Sequence, residues 1–191
     1  MYRAVTLAWI RSGSADELFR QRQWLYQLDL AFRGRKVFLD GVPVSLELRG
    51  DAVTKHVSLV AAEPEVRAFL THIQRKMGSS TFCILDGRDI GTVVFPDAFF
   101  KVFLTASPEE RARRRWLQLG GERGGITLEQ VLRDQSERDR KDSSRALAPL
   151  KKAADALELC TDGKSLEEVV AVLSAEARRR LRRLECGSVS D

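Results

Sequence analysis

The sequence predicts an α/β protein, with a parallel sheet core covered by helices, an inserted α+β lobe and a lid. Three observations carry this. From residue 79 onward, short apolar runs alternate with amphipathic helical stretches, the pattern of βα units. Ahead of them, Lys36 to Leu48 reads as a β-hairpin set between helices, so residues 32–78 form the insert. The pairs Gly120-Gly121 and Gly124-Gly125 interrupt two helical stretches and mark a flexible loop.

Taken in order, Met1 to Ile10 reads as helix with no capping residue before it, which suggests a segment upstream. Ser14, with Glu17 three residues on, resembles a capping box and opens a second helix to about Ala31. In the hairpin Asp40-Gly41 is the turn, and Val44, Leu46 and Leu48 alternate as one face of a strand. Helices follow over Asp51 to Ala62 and Pro64 to Met77. Thr81 to Leu85 is a continuous apolar run ending at Asp86, expected as a strand buried on both faces, and Phe99 to Thr105 is a second. Ser107-Pro-Glu-Glu sets an N-cap, a proline at the first helical position and a capping-box glutamate in order. Thr127 caps a helix to about Lys141. Ala156 to Cys160 is a last strand, followed by a helix capped by Ser165. The basic residues Arg178 to Arg183 lead into a polar stretch expected to be disordered, the two making a tail over 178–191.

At 191 residues the chain can close a core without metals or disulfides. Its 43% hydrophobic and 31% charged residues exclude both a disordered chain and a fibrous one. No run approaches the length of a membrane span, and no basic start leads into an apolar stretch, so neither membrane nor secretion is expected. Cys83, Cys160 and Cys186 are odd in number and far apart, which favours a reducing cytoplasm. Net charge is +5 and the pI near 9.4, a balance that attracts phosphate.

Three clusters are candidates for chemistry. Asp86-Gly-Arg-Asp-Ile-Gly-Thr-Val-Val-Phe-Pro-Asp97 follows a predicted strand, where α/β proteins bind ligands; an ordinary βα turn with a salt bridge is the plainer reading. Arg138, Asp142 and Arg145 fall at i, i+4 and i+7, on one face if the helix continues; arginine forks there suit phosphate, and a solvated charged face is the plainer reading. Arg111, Arg113, Arg114 and Arg115, with Arg123 beyond, would close over a transferring phosphate as a lid at about 111–126, or simply form the outer side of an amphipathic helix. His56 and His72 have no cysteine or carboxylate at ligand spacing, so no metal site is expected. Trp9, Trp24 and Trp116 read as packing residues.

In Met1-Tyr-Arg-Ala-Val-Thr, Leu85 to Ala98, Lys101 to Arg115, Arg138 to Leu150 and Ala153-Ala-Asp-Ala, the chain resembles the bacterial-type cytidylate kinases, in the family's order and up to about residue 173. The resemblance implies a nucleoside monophosphate kinase fold with 1–31 and 79–177 as core and 32–78 as the CMP-binding lobe. It implies transfer of the ATP γ-phosphoryl group to CMP or dCMP, with Mg²⁺ held mainly by the nucleotide phosphates, in a cytoplasmic monomer. It points to Arg3 beside the CMP phosphate, to Ser58 and Arg67 at the base, to Arg88 for phosphate and Asp89 for the base, and to Arg138, Asp142 and Arg145 for ribose and phosphate. Arg88, Arg138 and Arg145, with Arg111, Arg114 and Arg115 of the lid, are the expected catalytic set. An acid such as Asp89 accepts from the exocyclic amine of cytosine, whereas uracil would oppose it with a carbonyl, so CMP should be preferred over UMP.

The chain departs from the family in one place. A member opens with a strand, a G-x-x-x-x-G-K-[ST] loop, a helix and a second strand, and none of these is in this sequence; Gly163-Lys164-Ser165 lacks the earlier glycine. No residue here is therefore expected to cradle the ATP phosphates. Two explanations are expected to compete: either the protein starts upstream of Met1, or the chain is truncated at its N-terminus, in which case it should be poorly soluble and without kinase activity. The other reading weighed is a non-catalytic module that binds CMP or nucleic acid through the basic tail.

Overall fold

The computed structural model describes residues 1–13, 22–34, 36–79 and 82–187. They divide into two compact units, one of residues 1–87 with 141–149, the other of 88–140 with 150–191.

The first unit is organised by α1 (Tyr2–Arg11), which is buried on almost every side: Ala4, Val5, Thr6, Leu7, Ala8 and Trp9 are all buried. A helix apolar all round must be covered all round. Val5 and Trp9 enter one core cluster with Leu25 of α2 (Arg22–Gln27), Val60 of α3 (Asp51–Val60), and Val66, Phe69 and Leu70 of α4 (Pro64–Ser79). Ala4, Leu7 and Ala8 enter a second cluster with Leu39, Val44, Leu48 and Val53. The buried hydroxyl of Thr6 donates back to the Tyr2 carbonyl at 2.9 Å, so this side chain is not left unpaired. Each of the two clusters thus joins described residues of 1–31 to described residues of 32–78.

The predicted hairpin is present. β2 (Lys36–Leu39) pairs antiparallel with β3 (Val42–Pro43), and Asp40 and Gly41 turn the chain with φ of 51° and 76°. Two successive positive φ values are the primed turn whose twist matches the strands, and Asp-Gly is the dipeptide that tolerates it. β3 is short, however. The expected alternation through Leu48 gives way to a 3₁₀ turn at Glu47–Arg49, which buries Val44 and Leu48 and leaves Leu46 89% exposed.

A third strand was not expected. β1 (Leu30–Arg33) pairs antiparallel with β2 in the register Leu30↔Leu39 to Arg33↔Lys36, so the helix predicted to Ala31 ends at Gln27. The Asp29 backbone closes the pairing: Asp40 N–H donates to the Asp29 carbonyl at 2.9 Å, and Asp29 N–H to the Asp40 carboxylate at 3.1 Å. The helix start predicted at Ser14 lies outside the described residues.

The largest correction is at the apolar run 81–85. Its described part, from residue 82, is irregular and pairs with no strand among the described residues, with Phe82 89% and Ile84 98% exposed. An apolar run becomes a buried strand only where neighbours pair its backbone and cover its faces.

In the second unit β4 (Val102–Thr105) and β5 (Leu157–Cys160) form a parallel pair, register Val102↔Leu157 to Thr105↔Cys160. This makes an α/β unit, yet Leu104 is 53% exposed and β5 alternates half-buried with exposed residues, so neither strand is covered on both faces as predicted. α5 (Pro108–Gln118) begins as its motif requires, with the Ser107 hydroxyl accepting from Glu110 N–H at 3.2 Å. Its start is also tied to the end of β5, because the Asp162 carboxylate accepts from Ser107 N–H at 2.9 Å. α6 (Leu128–Ser144) is capped by Thr127 and outlasts its predicted end at Lys141, beginning in the second unit and ending in the first. α7 (Leu166–Gly187) opens with a reciprocal capping box, Glu168 N–H to the Ser165 hydroxyl and Ser165 N–H to the Glu168 carboxylate. It continues through Arg178 to Arg183, so these basic residues are helical.

Candidate functional site

In the first unit, two candidate arginines converge on one backbone oxygen. α3 ends at Val60 and α4 starts at Pro64, and the carbonyl of Ala61 in the connection accepts from Arg67 Nη1 at 2.9 Å and from Arg145 Nη1 at 3.4 Å. Arg67 is only 6% exposed, and its guanidinium also lies over the Tyr2 ring, 5.3 Å from the centroid. Arg145 is one residue past the end of α6, so it does not continue the helical face with Arg138 and Asp142. Instead its Nε returns to the Asp142 carbonyl at 3.3 Å, and its Nη1 stands 3.8 Å from the Asp142 carboxylate. Both side chains of that pair are nearly enclosed, at 8% and 5% exposure.

These contacts leave over the Nη2 amino group of Arg145. That group is buried and has no hydrogen-bond partner among the described residues. A buried donor left unmade costs ~1–3 kcal/mol, more on a charged group, so it favours an acceptor brought in from outside. Two guanidinium groups around one carbonyl, one with a spare fork, suit an anion of bidentate geometry.

The other candidates of this unit have structural work as well. Arg3 Nη1 donates to the Leu48 carbonyl at 2.8 Å and to the Thr54 hydroxyl at 3.0 Å, joining α1 to the start of α3. Ser58 is half-buried on α3, one residue along from the buried Val57.

In the second unit, the glycine motif is folded around Asp89, which is 5% exposed, while Arg88 beside it is exposed. The Asp89 carbonyl collects the N–H groups of Thr92, Val93 and Val94 at 3.3, 2.9 and 3.2 Å, and Phe95 N–H donates to the Ile90 carbonyl at 2.7 Å. This five-residue π-turn, Ile90–Val94, is a compact hook with the buried carboxylate at its mouth. Sequence alone read the motif as a βα turn or a ligand loop; the π-turn left no signal that pattern could register.

The lid arginines divide by their partners. Arg111 is paired with Asp139 and donates Nε to the Ala106 carbonyl. Arg114 donates to Glu110, to the Thr161 hydroxyl and to the Thr161 carbonyl, the last at 2.7 Å. The side chain of Arg115, half-buried on the same helix, has no hydrogen-bond or ion-pair partner among the described residues. Arg138 is half-buried on α6, one turn before Asp142. Among the described residues no three His, Cys, Asp or Glu side chains gather as a metal site, and no helix is long and apolar enough to cross a membrane.

Residues 1–179 match the family model for cytidylate kinase. Similar proteins include the cytidylate kinases of Clostridioides difficile, 45% identical over 171 residues that cover 89% of this chain and 79% of the relative, and of Chloroherpeton thalassium, 42% identical over 181 residues, 91% and 77%. That of Fervidobacterium nodosum is 41% identical over 182 residues, covering 95% and 83%.

Proposed function

Because the chain belongs to the cytidylate kinase family, and so to the ATP-dependent nucleoside monophosphate kinases, we propose that its own acceptors are CMP and dCMP. The observation that carries this reading is the unpartnered Nη2 of Arg145, a buried cationic donor that a nucleotide phosphate would satisfy.

In the first unit, Arg145 and Arg67 are the phosphate and base contacts the reading assigns, and Ser58, Asp142 and Arg3 are its further substrate contacts. In the second, Asp89 is the carboxylate that accepts from the cytosine amine, Arg88 and Arg138 meet phosphate or ribose, and the lid supplies positive charge. Of the three lid arginines in the expected catalytic set, Arg115 has a guanidinium without a partner among the described residues, which favours it over Arg111 and Arg114. Transfer needs no covalent intermediate: it needs an acceptor oxygen placed in line and charge balanced as the phosphoryl group moves. Mg²⁺ would add to that neutralisation, carried on the phosphates of ATP rather than held by a carboxylate cluster of these residues. The expected setting is the cytoplasm.

The 191 residues contain no G-x-x-x-x-G-K-[ST] motif, so no backbone cradle or lysine for the ATP phosphates is identified among them. We therefore assign them the acceptor side of the reaction. A coupled ADP-release assay on this chain with ATP and CMP should stay at background; steady turnover would show that other residues here hold the donor phosphates.

Calorimetric titration tests the acceptor. CMP and dCMP should bind more tightly than UMP, and Asp89→Asn should reduce that preference by ~1–3 kcal/mol, the usual worth of a matched base contact. Equal affinity for CMP and UMP in the unaltered chain would overturn the assignment.

A further inference from the structure

Lys101 stands at the head of β4, a lone charge in the apolar run Phe99 to Leu104, and it is 8% exposed. A buried ammonium persists only if it is paired and hydrogen-bonded. This one is: Nζ donates to both oxygens of Asp155, at 2.9 and 2.8 Å, and to the carbonyl of Pro96. Its backbone carbonyl accepts from Leu157 N–H at 3.0 Å, so the residue is also fixed to the start of the β4–β5 ladder.

Two of these contacts reach the glycine motif. Pro96 closes the segment that begins at Asp89. Gly91, inside the π-turn, lies so close to the lysine stem that a Cβ there would stand 3.2 Å from Lys101 Cδ and 3.4 Å from Cγ. The stem thus packs against the middle of the hook while the ammonium holds its far end. Asp155 anchors the assembly from the turn that leads into β5, and the neighbouring Phe100 ring is covered by the Arg180 guanidinium at 4.7 Å.

We propose that Lys101 is a positioning residue for nucleotide discrimination: it fixes the 89–96 hook, and through it the direction of the Asp89 carboxylate. It touches no substrate itself. The proposal rests on the reading of Asp89 as the base contact. The carboxylate of Asp155, held below its usual range chiefly by the hydrogen bond from Lys101, stays ionised and keeps the ammonium in place near neutral pH.

The test uses the whole chain and two variants. Lys101→Met keeps an unbranched stem against Gly91 and removes the three donors; Asp155→Asn keeps the shape of the exposed partner and removes its charge. Hydrogen exchange should quicken at the amides of Val93, Val94 and Phe95 in Lys101→Met and less in Asp155→Asn, with α5 unaffected. The ratio of CMP to UMP affinity should fall by about 2- to 30-fold in Lys101→Met, the range by which residues remote from a ligand modulate its binding. Faster exchange with an unaltered ratio would make Lys101 merely structural and overturn the proposal, as would unaltered exchange. If the unaltered chain already binds CMP and UMP alike, the base reading of Asp89 has failed, and the lysine proposal falls with it before either variant is compared. Should Lys101→Met not fold, Asp155→Asn alone must show the same direction in both measurements.

Discussion

Arg145→Lys separates phosphate binding from base binding. The substitution keeps the positive charge near Asp142 but removes the planar fork, and with it the spare Nη2 donor. A hydrogen bond to a charged group contributes about 1.5–3 kcal/mol, so ~2 kcal/mol lost is about 30-fold in Kd for CMP. Cytidine has no phosphate, and its affinity should be the same in both proteins. Thermal shift gives the same contrast: CMP at ~100 times the original Kd stabilises by ~2.7 kcal/mol, which for a chain of this size is about 5–10 °C in Tm. At the same concentration the variant would have only about three equivalents of its own Kd and gain ~0.9 kcal/mol, or about 2–4 °C. Calorimetry with CMP and with cytidine is the deciding assay. If both ligands weaken in parallel, or if the shift with CMP is undiminished, the phosphate role of Arg145 is wrong.

Two further outcomes follow from the lid and from the last helix. Gly124→Ala would place a Cβ 2.2 Å from the Leu119 carbonyl oxygen, a backbone contact that cannot yield cheaply. It should cost ~1–3 kcal/mol in stability, read as a drop of several degrees in Tm, and an unchanged Tm would show that the turn relaxes freely. On α7, hydrogen bonds from Arg179 and Arg180 hold the Glu176 carboxyl down at about 2. A carboxyl lowered in the folded state stabilises above its unfolded pKa, and the contribution is lost as pH falls through the folded value. The advantage of the unaltered chain over Glu176→Gln should therefore be full at neutral pH and vanish near pH 2; a difference that persists below that pH, or none at neutrality, would contradict the pairing.

The elements legible in the sequence were those specified by local chemistry. The caps at Ser107, Thr127 and Ser165 and the Asp40-Gly41 turn each bond within a few residues, so their patterns survive without tertiary context. β1 was missed because Leu30 to Arg33 is too short to separate from a helix end by periodicity, and only its register on β2 decides the matter. The run at 82–85 was misjudged for the converse reason: its apolar residues favour a strand, but strand status belongs to a pair. For the site, the candidate arginines and Asp89 were visible as residue types. The convergence of Arg67 and Arg145 on Ala61 was not, since it depends on a contact 84 positions apart. Nor was the role of Lys101, although a single charge inside the apolar run 99–104 was the signal available.

The lysine that steadies the hook meets its carboxylate partner 54 positions further along the chain. Closing a loop of that length costs about 3.5 kcal/mol in chain entropy, whereas the hairpin around Asp40-Gly41 closes over a handful of residues. On a ribosome the first unit's hairpin can therefore assemble early. The 89–96 hook must wait until residue 155 has emerged and docked, so on the proposed reading of Asp89 selectivity for the base is among the last properties the nascent polypeptide acquires.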